Sequence, residues 1–367
     1  MATITAEDRT ALTDSLRRLL ADHGAEADVR RVMETPEGYD PALWRQLAEM
    51  GVVGLIVEEA FGGVGAGPVE LERVMEEAGA ALLCSPLLSS GVLAAALLQA
   101  LGDEDAKTRL LPGIANGSTI ATAALTGPSG RWISEDVSVS ADAQGRLSGV
   151  AGFVTHAQIA SVILVAARAP DGLALYEVQP GAAGLAIKAL PTFDHTLRLA
   201  ELSFAATPAR RLGGTRPAWD AVEQALEIVQ VALAGEEAGG ARRALDMAVD
   251  YAKVRAQFGR LIGSFQAIKH MAADLLLETE SAISAARHAA QRLADGEPDA
   301  SAAIALAAFA CADAFSQVTA TNIQMHGGIA FTWAHPAHLY LRRARADAQL
   351  FGASAAHRER FLKELGA

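Results

Sequence analysis

Three groups of residues in this chain have the types and spacing to do chemistry. The first is Arg255-Ala256-Gln257-Phe258-Gly259, which closes a long Ala-rich helical pattern. A guanidinium beside a Gln at a helix end offers forked donors to a phosphate or pyrophosphate. The same residues also suit a plain helical corner with a solvated Arg. The second group is Glu236-Glu237, set in the apolar stretch 231–240. Burial raises a carboxyl pKa towards the range a general base needs. A carboxylate satisfied by a neighbouring helix fits the same pattern. The third group is His326, His335 and His338, whose spacing is loop-like and which no Cys or carboxylate accompanies as a ligand set, so it does not read as a metal site. A further stretch, Gly62-Gly63-Val64-Gly65-Ala66-Gly67, lacks the Lys-Ser/Thr of a phosphate-binding loop and reads as a turn.

The elements that position these groups follow from periodicity and punctuation. One helical pattern covers roughly 218–254; the next starts at Ser264, a candidate N-cap, and runs to about Leu293. Gly259 and Gly263 bracket the turn, so the two helices stack antiparallel with Arg255 and Gln257 at the corner. Residues 6 to about 118 read as helices, including one opened by Pro41 and a buried one within Ala80–Leu101, entered through a loop rather than spanning a membrane. From Ser118 the pattern changes to short apolar strands: 120–126, 137–140, 149–155, 159–167, 173–178, 185–190 and 199–204. After 218 the chain is helical again, with Asp299/Ser301 capping a helix to Met325, His326-Gly327-Gly328 ending it, Pro336 starting the next and Ser354 opening the last.

Composition sets bounds. A chain of 367 residues can bury several subdomain cores, and its 51% apolar and 5% aromatic content suits tightly packed helices. The net charge of -12, with no Lys/Arg run, leaves no nucleic-acid footprint. Cys84 and Cys311 read as buried small hydrophobes in a reducing compartment, and no signal peptide is visible at the N-terminus. A cytoplasmic protein without a membrane partner is expected.

The string Arg255-x-Gln257-Phe258-Gly259-x-x-Ile262-Gly263-x-Phe265-Gln266-x-Ile268-Lys269-His270 closely resembles the first C-terminal helical hairpin of the acyl-CoA dehydrogenase family. A second resemblance is Gln324-Met325-His326-Gly327-Gly328, followed by His335-Pro336 and Leu339–Arg343, in the family's order and at its usual separation. A weaker similarity covers Gly54–Gly63. The resemblance implies an α+β, acyl-CoA dehydrogenase-like fold: an N-terminal helical domain over 1–117, a central β-barrel or sandwich over 118–212 and a C-terminal four-helix bundle over 213–367. It implies FAD as cofactor, an acyl-CoA substrate from fatty acid or steroid side-chain catabolism, an electron-transfer flavoprotein-type acceptor, and a homo- or hetero-oligomer with a homologous subunit.

Site residues carry over by position. Arg255, Gln257 and Phe258 match positions that contact FAD from a neighbouring subunit, and Gln324, Gly327 and Gly328 match the stretch holding the adenosine-diphosphate half. Thr126 matches a flavin-contacting Thr, although Gly127-Pro128-Ser129-Gly130 departs from the family's pattern there. Thr155, in Phe153-Val154-Thr155, matches the Thr of a Trp-Ile-Thr. The catalytic carboxylate has no match, so no catalytic residue is assigned. The usual Tyr-Glu-Gly-Thr is Leu350-Phe351-Gly352-Ala353, and the alternative base position on the preceding helix is Val229. Glu227 is close in sequence but on another helical face. Glu236 lies roughly 10 Å further along the axis at 1.5 Å per residue. Two functions follow: an enzyme with an unrecognised base such as Glu236, or a non-catalytic partner subunit of a heteromer that completes a shared FAD site.

Overall fold

The computed structural model describes residues 4–24 and 26–366. Six helices come first: α1 (Ala6–His23), α2 (Glu26–Met33), α3 (Pro41–Glu49), α4 (Pro68–Ala80), α5 (Ala95–Leu101) and α6 (Glu104–Ala115). Eight strands follow: β1 (Ala121–Ala124), β2 (Ser140–Ala141), β3 (Arg146–Thr155), β4 (Val162–Ala169), β5 (Gly172–Val178), β6 (Leu185–Ala189), β7 (Leu199–Pro208) and β8 (Arg210–Arg211). The rest is α7 (Ala218–Val254), a small hairpin of β9 (Ala256–Gln257) and β10 (Arg260–Leu261), then α8 (Gln266–Ala294), α9 (Ala300–His326), α10 (Ala337–Asp347) and α11 (Ser354–Glu364). The chain forms two compact units. One holds Arg31–Gly67 and Cys84–Val229; the other holds Ile4–Arg30, Pro68–Leu83 and the chain from Gln230 onward.

The first unit is built on an eight-stranded sheet in the order β6-β7-β3-β2-β4-β5-β8, with β1 pairing β4 in parallel. Alternating residues from β3, β4, β5 and β7, among them Leu147, Val154, Ile163, Val165, Tyr176 and Leu202, form its core. Helix α3 starts as its residues dictate, with Asp40 accepting from the Ala42 and Leu43 N–H groups and Pro41 at the first position. Trp44 Nε1 donates to Gly117 O at 2.9 Å, and Arg109 of α6 grips Glu177 of β5 with two bonds of 2.7 and 3.2 Å. The buried helix expected within Ala80–Leu101 begins as a wholly buried π-helix over Leu87–Ala94 and continues as α5. Gly62 caps a short 3₁₀ turn with φ 82°, and a Cβ on Gly63 would lie 2.1 Å from Val57 O, so these glycines shape a turn. The strand expected over 137–140 forms only at its end, as Ser140–Ala141, after a 3₁₀ turn over Ser134–Asp136.

The second unit is a helical bundle. Ala-rich faces of α7, α8 and α9 meet around Val231, Ala238, Ile283, Ala286, Ile304, Ala307 and Cys311. Small residues permit close approach: a Cβ on Gly79 would sit 1.9 Å from Glu236 O, and one on Gly240 would strike the buried Phe315 ring at 2.4 Å. Helix α1 opens with a capping box between Thr5 and Asp8. The stretch Ala300–Phe331 is long and apolar enough to cross a membrane by length and composition, and 56% of its apolar window is buried in the fold. Ser264 is not the cap of α8: its hydroxyl donates to Leu261 O at 2.7 Å, and Phe265 holds the N-cap position without a side-chain bond. A 3₁₀ turn over Ile262–Ser264 intervenes and claims that hydroxyl.

Candidate functional site

In the sheet unit, the sequence-derived positions meet at the end of β3. The pairing of β3 with β7 runs Ala151↔Leu202 and then Val154↔Ala200, so Gly152 and Phe153 form a bulge. Phe153 adopts φ 53° and His156 φ 52°, left-handed values costly for residues with side chains. Gly152 N–H leaves the ladder and donates to Thr126 O at 3.1 Å, which joins the two threonine segments. Between the two strained residues, Thr155 is held on both sides: it pairs with Leu199, and its carbonyl accepts from Thr122 Oγ1 at 2.6 Å. Its own hydroxyl is buried and has no hydrogen-bond partner among the described residues. An unpaired buried hydroxyl costs about 1–3 kcal/mol, so this group is free to bond a ligand or water.

Thr126 is different. Its Oγ1 lies 2.6 Å from Arg131 O and 2.9 Å from Asp136 Oδ2, so its single proton is spent within the loop. Burial opposes ionisation of Asp136, but bonds from Ser129, Thr126 and the Arg131 and Gly127 N–H groups outweigh it and hold the carboxyl below its usual range.

In the bundle unit, β9 and β10 form a two-residue hairpin in which Gln257 pairs with Arg260. Phe258 (φ 52°) and Gly259 (φ 77°) make the turn, a type I′ geometry that needs positive φ at both centres. Phe258 is 91% exposed. Arg255 and Gln257 are exposed and their side chains bond to no described residue. Arg260 lies over the Phe265 ring at 4.0 Å and stiffens the base of the hairpin. Gln324, Gly327 and Gly328 are exposed at the end of α9. Gly327 is needed for its φ of 68°, whereas a Cβ on Gly328 would meet nothing within 4 Å, so no packing inside the chain explains a glycine there. The two clusters are linked: the His326 ring stacks on Tyr251 at 4.2 Å and meets His335 at 4.4 Å. Burial lowers the pKa of His326, and that of His338 to about 4. Among the described residues, no group of three or more His, Cys, Asp or Glu side chains is placed to hold a metal.

Glu236 is buried and ion-paired with the equally buried Arg343. This partner, 107 positions away, carries no sequence signal. Glu237 is 1% exposed; burial, then the charges of Asp347 and Glu236, push its pKa well above the usual range. It faces a cavity of about 10 Å³ with Gln230, Asp347 and His357, room for about one water. Phe351 is 2% exposed and sits in a left-handed turn at φ 59°. His357 Nε2 lies 3.1 Å from Gly352 O and pins the next residue. Val229 is fully buried.

Helices, then one sheet, then a helical bundle define a three-part α+β architecture. Comparison with known proteins narrows the class. The chain matches the acyl-CoA dehydrogenase N-terminal domain over residues 6–118 and the acyl-CoA dehydrogenase C-terminal domain over 219–366. It is 34% identical to acyl-CoA dehydrogenase IpdE2 of Mycolicibacterium smegmatis over 348 residues, 95% of either chain. It superposes with a TM-score of 0.90 and 28% identity on the ChsE4–ChsE5 complex from Mycobacterium tuberculosis, over 100% of this chain and 99% of that one. A Tcur3481–Tcur3483 steroid ACAD variant gives 0.88 and 30%, over 98% of each chain. The chain belongs to the acyl-CoA dehydrogenase family.

Proposed function

We propose that this chain is the base-lacking subunit of a heteromeric, FAD-dependent acyl-CoA dehydrogenase that converts an acyl-CoA thioester to the 2,3-enoyl-CoA. The observation carrying this reading is the fate of the carboxylate positions. Position 351 holds a buried Phe and position 229 a buried Val, while Glu236 is committed to Arg343. A general base needs a lone pair within about 3 Å of the proton it takes. Glu237 is the remaining candidate for a self-sufficient enzyme, but its cavity of about 10 Å³ admits a water and not an acyl chain. The base is therefore assigned to a homologous subunit.

The residues present fit FAD. Bound FAD would supply the acceptor for the hydride that leaves the β-carbon. Thr155 offers a buried, unspent hydroxyl at the sheet, while Thr126 shapes the adjoining loop through its carbonyl. Arg255 and Gln257 present donors for a pyrophosphate, and Phe258 offers an apolar face. Gln324, Gly327 and Gly328 leave backbone open to close approach. The exposure of the hairpin tip supports a role at a neighbouring subunit's cofactor rather than its own. The two-chain relatives support a heteromer, and the steroid ACAD among them supports a steroid-derived acyl group beside fatty acyl groups. An electron-transfer flavoprotein-type acceptor and a cytoplasmic location, consistent with the buried thiols of Cys84 and Cys311, complete the proposal.

The test is to purify the chain alone and co-expressed with a base-containing homologue, then add acyl-CoAs anaerobically. Flavin absorbance that bleaches only with the co-expressed pair is the expected result. Bleaching by the chain alone overturns the assignment.

A further inference from the structure

We propose that His156, held by Ser89, is a positioning residue that presents the Thr155 hydroxyl to the flavin. This rests on the FAD reading above and concerns a contact that the family resemblance does not supply. Ser89 lies in the buried π-helix Leu87–Ala94, the rarest regular helix type and one often found at functional sites. Its Oγ lies 3.0 Å from Pro86 O and 3.3 Å from His156 Nδ1. A hydroxyl has one proton; given to Pro86 O, it leaves the Ser89 oxygen to accept from His156 Nδ1–H. The relay Nδ1–H to Ser89 to Pro86 then fixes the imidazole tautomer and the ring's orientation.

The ring in turn holds its own backbone. His156 N–H donates to Arg198 O at 2.9 Å, its carbonyl accepts from Ile159 N–H at 3.2 Å, and its φ is 52°. Arg198 is itself fastened, its guanidinium donating to Met33 O and Thr35 O at 2.6 and 2.7 Å. A left-handed residue costs of order 1–3 kcal/mol and persists only where its surroundings impose it. Here the buried Ser89–His156 bond does so, one residue after Thr155. The bulge at Gly152–Phe153 holds the other side. Thr155 is thus clamped between two strained residues, with its carbonyl spent on Thr122 and its hydroxyl left over. Ser89 spends its hydroxyl on Pro86 O and His156 Nδ1, and His156 adjoins Thr155 in the chain, so the pair acts on the flavin through Thr155.

The experiment uses the co-expressed holo-complex and four variants of this chain: Thr155→Val, Ser89→Ala, His156→Asn, and Thr155→Val with Ser89→Ala. Asn tolerates the left-handed backbone but is too short to keep the bond to Ser89. The readouts are FAD dissociation constant, flavin absorption maximum and melting temperature of the apoprotein. Loss of one hydrogen bond predicts a roughly fivefold weaker dissociation constant for Thr155→Val. Ser89→Ala and His156→Asn should weaken FAD to a similar degree and shift the absorption in the same direction. The double variant should bind no worse than Thr155→Val. If Thr155→Val shifts the flavin while Ser89→Ala and His156→Asn change melting temperature alone, or if the double variant shows the product of the single effects, the positioning role is wrong. If the wild-type chain contributes to no FAD site, the FAD reading itself fails, and this inference with it.

Discussion

Replacing Arg343 by Met exposes what Glu236 is for. The guanidinium and carboxylate are both buried and paired, and the backbone at Glu236 is in close contact with α4 at Gly79. Removing one member of a buried pair leaves an uncompensated charge and costs about 3–5 kcal/mol. Unfolding entropy of about 2.1 cal/mol/K per residue gives roughly 0.8 kcal/mol/K for the 367 residues. The expected fall in melting temperature is therefore about 4–6 °C by that scaling. Glu236→Gln should fall by a comparable amount, whereas Arg343→Met combined with Glu236→Leu should return to within about 1 kcal/mol of wild type, since apolar replacement of a buried pair is often neutral. Differential scanning fluorimetry at fixed protein concentration and pH 7.5 reads all three. A shift below about 1 °C for Arg343→Met would refute the buried pair as the element that commits Glu236, on the same entropy scaling. A double variant no better than the single would assign the loss to packing instead.

Two further predictions concern groups the proposed chemistry treats differently. Glu72 is buried, and burial together with the charge of Glu76 raises its pKa from 4.5 to about 7. Because the folded-state value lies above the unfolded one, the protonated form is favoured in the fold, and the resulting penalty grows as pH rises from about 4.5 to 7 and is constant beyond. Glu72→Gln should gain about 3 kcal/mol over wild type at pH 8 and nothing at pH 4, read as urea midpoints at the two pH values. A gain of the same size at both would place the effect in packing. Arg255 is exposed with no side-chain partner among the described residues, so Arg255→Ala should change stability by less than about 0.5 kcal/mol while weakening FAD binding about tenfold or more. Unchanged FAD affinity in the assembled complex would return Arg255 to a solvated corner.

Most of the architecture was legible from local patterns. Strand alternation around Leu147, Ile163 and Leu202, the Asp40-Pro41 helix start and the Gly259 turn each express a short-range preference that the fold keeps. The misses are of two kinds, local competition for a hydroxyl and partners far apart in the chain. Ser264 has the residue type of a cap, but a 3₁₀ turn claims its hydroxyl. Arg343 neutralises Glu236 from another helix, and Ser89 meets His156 across 67 positions, separations at which no periodicity operates. The bulge that leaves Phe153 and His156 in left-handed conformations breaks the local rule that strands avoid positive φ. Such violations are expected where a site is being shaped. At Thr126 the family resemblance suggested a flavin contact, and only the distances to Arg131 O and Asp136 revealed that its proton is already spent.

If this chain supplies no base for the α-proton, as proposed, exchange of that proton with solvent reads it directly. The purified chain, loaded with FAD, is incubated in D₂O with an acyl-CoA, and deuterium at the α-carbon is followed by mass spectrometry. No incorporation above the uncatalysed rate is expected from the chain alone, with rapid incorporation once the base-containing homologue is co-assembled. Deuterium incorporated by the chain alone, and lost on Glu237→Gln, would contradict the account and make Glu237 the base.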